Sequence, residues 1–116
     1  MFALNTTIKQ GFAGNHSLCH GALGNVELLL TAARLLNRPE DQEALERATA
    51  LIVGSIEAHG WVSGVPLGVE TPGLMTGLAG IGYELLRLAE PDKVPSVLLA
   101  APPCLRTIGL VGTSRR

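Results

Sequence analysis

The sequence has 116 residues, 47% hydrophobic and 16% charged, with a net charge of −1, which suits one domain with a modest core and excludes a disordered chain. A pI of about 6.3 removes the electrostatic case for binding nucleic acid or an anionic membrane, and 3% aromatic content is too little for a base-stacking surface. The two cysteines, Cys19 and Cys104, are too few for a disulfide framework and point to a reducing, cytoplasmic compartment.

The first ten residues carry one charge, Lys9, in the wrong place for a secretory signal, and no apolar run reaches the ~20 residues of a membrane helix. Ser17-Leu18-Cys19-His20-Gly21 then leads into a helix predicted over 22–36. Leu23, Val26, Leu29, Leu30 and Ala33 follow helical spacing, while Leu28, Leu35 and Leu36 fall on the other faces. A helix this apolar all round is expected to be buried on most sides. Asn37-Arg38-Pro39 breaks it. A second helix is predicted over about 40–58, with Leu45, Ala48, Ile52 and Ile56 on one stripe and Glu43, Glu46, Arg47 and Glu57 off it. Pro39 suits its start and Gly60 its end. Glycine and proline make 60–73 a loop, and a third helix is predicted over about 77–90, with Leu78, Ile81, Leu85 and Leu88 in line and Pro91 ending it. Residues 97–101 read as a short strand or extended segment, and nothing is assigned beyond Pro103.

A repeat underlies this order. Leu18-Cys19-His20-Gly21-Ala22-Leu23-Gly24 aligns with Leu74-Met75-Thr76-Gly77-Leu78-Ala79-Gly80, 56 residues on. Each copy is a glycine-marked turn into an apolar helix, with an amphipathic helix between them. A period of this length marks stacked helix pairs, and two copies are too few to close a core. The first copy alone carries metal-ligand types, Cys19 and His20. A thiolate and an imidazole are zinc donors, but a zinc site needs three or four protein ligands.

These segments resemble the lanthipeptide cyclase (LanC-like) family. Ser17-Leu18-Cys19-His20-Gly21, followed by Gly24-Asn25, is similar to the family's Cys-His-Gly zinc motif. The run from Glu70 to Leu88 resembles the last inner helix of the cyclase domain in class II lanthipeptide synthetases, and Val94-Pro95-Ser96-Val97-Leu98-Leu99 resembles their ending. The resemblance implies an all-α fold, a partial α/α toroid with inner and outer helices alternating. Residues 1–103 would be the C-terminal portion of the cyclase domain, and 104–116 a poorly ordered tail. It implies zinc held by Cys19 and His20. It also implies addition of a precursor peptide's cysteine thiol to dehydroalanine or dehydrobutyrine, which forms a thioether ring in the bacterial cytoplasm. Zinc lowers the pKa of a bound thiol and so favours the nucleophilic thiolate, and the helix start behind Gly21 is expected to favour the Cys19 thiolate too. The family's third ligand, a cysteine one helix pair earlier, and its upstream acid/base residues have no counterpart in this sequence. The expectation is therefore a gene fragment, inactive alone, with no catalytic residue assigned. Its partners would be the precursor peptide and the missing upstream part of the synthetase.

Plainer readings stand beside each candidate. Cys19 and His20 alone read as a buried free cysteine and a hydrogen-bonded histidine. His16 reads as an exposed loop residue rather than a ligand, His59 as a charge complementing a helix end, Trp61 as a cover for the core edge, and Met75 as packing. Glu27 and Glu84, polar on apolar helices, are expected to pair inside the fold. The glycines suit close helix packing, since no Lys-Ser/Thr follows them as in a phosphate loop. A different class of function is a non-catalytic helical module that binds a peptide or partner subunit with at most a structural metal. A relationship to toroidal glycosidases or prenyltransferases is weaker, because no paired carboxylates stand out in the loops.

Overall fold

The computed structural model describes residues 2–99, and all secondary structure among them is helical. The tail from 104, with Cys104, lies outside the described residues. The elements are α1 (Phe2–Gln10), α2 (Ala22–Leu36), α3 (Pro39–His59), a single 3₁₀ turn (Pro66–Gly68) and α4 (Leu78–Ala89). This is the alternation of apolar and amphipathic helices expected of part of an α/α toroid. Helix α1 was not among the elements predicted. The 97–99 stretch forms bends and no strand, while residues 100 and 101 lie outside the described residues.

Helix α2 is the centre of the core. Leu23, Val26, Leu29, Leu30 and Ala33 are buried on it, with Leu45, Ala48 and Ile52 of α3, Ile81 of α4, Leu4 of α1 and Leu18 of the entry turn. Leu28, Leu35 and Leu36 correct the sequence reading: their faces of α2 are exposed, Leu35 by 78%. Pro39 occupies the first turn of α3, and Arg38 just before it holds the buried Asp41 through two bonds of 2.7 and 2.9 Å. Gly60 ends α3 with φ of 76°, a left-handed value that a side chain would strain.

The repeat is visible in backbone geometry. Gly21 and Gly77 precede α2 and α4 with nearly the same dihedrals, φ −109° and −119°. The Gly21 N–H donates to Ser17 O and that of Ala22 to Asn15 O; 56 residues on, Gly77 donates to Gly73 O and Leu78 to Thr71 O. In both turns the second glycine is packed against a carbonyl: a Cβ on Gly24 would overlap Leu18 O, and one on Gly80 would overlap Leu74 O. The paired glycines of the repeat read in the sequence are thus a steric requirement for bringing loop and helix into contact.

Candidate metal centre

Three loop segments meet at the entrance to α2 and α4. The Cys19 N–H donates to Met75 O at 2.8 Å, and the Gly64 N–H donates to Thr76 O at 2.7 Å. His16 and Val62 form a third tie, with the His16 N–H donating to Val62 O at 2.8 Å. Cys19 and His20 project from this layer, and both are exposed. Their exposure overturns the plainer reading of Cys19 as a packed cysteine. Gly64 explains where the His20 ring lies: a Cβ there would collide with His20 Cε1 and with Ser17.

The donor chemistry fits zinc, which takes thiolate and imidazole ligands. Adjacent, exposed and on a hydrogen-bonded loop, Cys19 and His20 could supply two ligands to such an ion. Among the described residues no three His, Cys, Asp or Glu side chains come together. The first-turn N–H groups of Gly21, Ala22 and Gly24 are already donated to Ser17 and Asn15 carbonyls. The entrance to α2 therefore spends these donors on the loop rather than on Cys19.

His16 is a correction. It is buried, not exposed, and both ring nitrogens are engaged. Its Nδ1 accepts from the Val62 N–H at 2.8 Å, which leaves the proton on Nε2, 3.2 Å from Ser55 Oγ. Burial lowers its pKa and favours this neutral form. His59 lies in the last turn of α3, as expected. Trp61 is 52% exposed and its indole N–H donates to Glu70 at 3.2 Å, so it does not cover the core. Met75 is 42% exposed.

A buried ionic cluster lies between α2 and α4. Arg87 donates to both oxygens of Glu27, at 2.7 and 2.9 Å. It also donates to Val94 O at 2.6 Å, so the segment after α4 is tied to the same cation. Glu84 is 1% exposed and one of its oxygens has no protein partner. Burial, then the hydrogen bond and charge of Glu27, push its carboxyl up to about 8 against the opposing charge of Arg87. Burial alone would raise Glu27, but hydrogen bonds from Arg87, Glu84 and Ser96 outweigh it and hold Glu27 low. Glu27 finds its partner inside the fold, as read from the sequence, in Arg87, whereas Glu84, buried beside it, keeps one oxygen without a protein partner.

The family model for lanthionine synthetase C-like proteins matches residues 1–99. The chain belongs to this lanthionine synthetase C-like family. In the comparisons with curated proteins and with solved structures, nothing matches. The family match spans both glycine-marked turns and the Cys19-His20 pair. Among the described residues no helix is long and apolar enough to cross a membrane.

Proposed function

We propose that this chain supplies the Cys-His part of the zinc centre of a lanthionine cyclase, most similar to the cyclase domain of class II lanthipeptide synthetases and working in the bacterial cytoplasm. The observation that carries this is the exposed Cys19-His20 pair on a loop held by Met75 and Val62, in a chain of that family. Bound zinc would favour the thiolate of a precursor peptide's cysteine, the nucleophile that adds to a dehydrated residue. Cys19 and His20 would hold the ion, and their exposure leaves room for the peptide. The Met75 carbonyl fixes the Cys19 backbone, and Gly64 gives the His20 ring its place. A third ligand and the acid/base groups would come from an upstream part of the synthetase.

The test is ring closure on a dehydrated precursor peptide, followed as loss of free thiol. The chain alone is expected to give only the uncatalysed rate. With a polypeptide carrying the upstream half of a cyclase domain, closure is expected to depend on Cys19 and His20. Closure by the pair that survives Cys19→Ala and His20→Ala unchanged would overturn the proposal.

One observation favours a second reading, a non-catalytic helical module that binds a peptide or partner subunit. Leu35 and Leu86 are 78% and 63% exposed, and exposed apolar patches mark association sites. Size-exclusion chromatography separates the two. A complex with a cyclase half that lacks ring-closing activity favours the module, whereas an active complex favours the split cyclase.

A further inference from the structure

His16 is a buried histidine with no surface of its own, yet it lies four residues before His20. Its backbone and its ring both bind one residue of another loop. The His16 N–H donates to Val62 O, and the Val62 N–H donates to His16 Nδ1, each at 2.8 Å. The opposite ring edge reaches Ser55 Oγ on α3. Val62 is two residues from Gly64, whose N–H is fixed to Thr76 O and whose missing side chain makes room for His20 Cε1. A line of contacts thus runs from α3 through the His16 ring to the segment against which His20 rests. A protein needs no histidine merely to join two loops by backbone bonds. The ring adds a fixed distance from α3, and so a fixed register of 62–64 beneath His20.

We infer that His16 is a positioning residue for the Cys19–His20 pair, its ring locking segment 62–64 between Ser55 and the His20 side chain. The inference rests on the zinc role proposed for that pair. Partners that orient metal ligands typically change metal affinity by about 10- to 100-fold when removed. Asparagine retains an acceptor where Nδ1 stands but cannot reach Ser55, whereas phenylalanine fills the space with neither contact.

The experiment has a metal-free arm and a metal arm. Nitrogen-15 NMR of the metal-free chain is expected to show His16 protonated on Nε2, and His16→Phe is expected to shift the His20 ring resonances and expose the Val62 and Gly64 amides to exchange. Cobalt(II) titration, read by the thiolate-to-cobalt band, is expected to weaken about tenfold in His16→Phe, with His16→Asn, which keeps the Val62 contact but not the Ser55 one, recovering only part of the loss. If His16→Phe does not fold, Ser55→Ala, which removes only the α3 contact, is expected to shift the same His20 resonances. Unchanged His20 resonances in a folded variant, or His16 protonated on Nδ1, would overturn the inference. So would cobalt binding that His16→Phe leaves unchanged. A parent chain that binds no cobalt matches the lack of a third ligand among the described residues, and the metal-free signals then decide the positioning role alone.

Discussion

At the scale of single residues, the buried cluster of Glu27, Glu84 and Arg87 sets the pH behaviour of the fold. Glu84 titrates at about 8 in the folded chain against an ordinary 4.5, so the native state keeps a proton that the unfolded chain has released. The stability this gives is complete below pH 4.5 and is lost as pH rises through about 8. Glu27 and His16 have the opposite sign. Their folded values lie below 4.5 and 6.5, so their contributions are present above those values and lost as pH falls through the folded ones. Urea unfolding of Glu84→Gln beside the parent isolates the first effect: the variant is expected to gain on the parent steadily from pH 5 to 8, and parallel curves would refute it. Arg87→Met should cost about 3–5 kcal/mol at pH 7, because it strands a buried Glu27 charge, and Glu27→Gln in the same chain should recover part of that. The sequence made Glu27 and Glu84 legible as polar residues on apolar helices, expected to pair inside. Arg87 was not legible as the partner of Glu27, because the pairing joins residues 60 positions apart and leaves no periodic trace. His16 was misread for the same reason: its partners, Ser55 and Val62, are far along the chain, and nothing local marks a loop histidine as buried.

At the scale of elements, helix positions were the most legible part of the fold. The bounds of α2 came from the apolar spacing after Gly21 and the break at Asn37-Arg38-Pro39, those of α3 from Pro39 and Gly60, and those of α4 from Gly77 and Pro91. Each depends on local chemistry: fixed φ at proline, left-handed φ at Gly60, close approach at the entry glycines. Helix α1 was missed because Asn5, Thr6 and Thr7 are weak helix formers, and only Leu4 of this helix is buried. The entry turns give a direct contrast. Gly24→Ala and Gly80→Ala force a Cβ onto the Leu18 and Leu74 carbonyls and should cost roughly 1–3 kcal/mol or more. Gly54→Ala, inside α3 with nothing near its Cβ, should stabilise by about 0.5–1 kcal/mol. Thermal unfolding of the three variants checks the ordering, and equal effects at Gly24 and Gly54 would contradict the steric account of the turn.

At the scale of the whole molecule, the two repeats build one layer in which α2 is central, and the proposed ligands Cys19 and His20 sit at its loop end. The all-helical architecture followed from the repeat and the amphipathic helix between its copies. What the sequence did not reveal is which faces stay open: Leu28, Leu35 and Leu36 read as core by their type and are exposed in fact, because burial depends on how many neighbouring helices are present and not on the helix itself. The proposed metal site has the same character. Its two residues were legible as a motif, and their exposure and backing by Gly64 came only from the fold. The central claim is that Cys19 and His20 are zinc ligands. The most direct test is zinc content of the chain in complex with a polypeptide carrying the upstream half of a cyclase domain, beside the same complex made with Cys19→Ala and His20→Ala. The expected result is about one zinc per complex in the parent and its loss in both variants. Zinc retained after either substitution, or none in the parent, would contradict the claim.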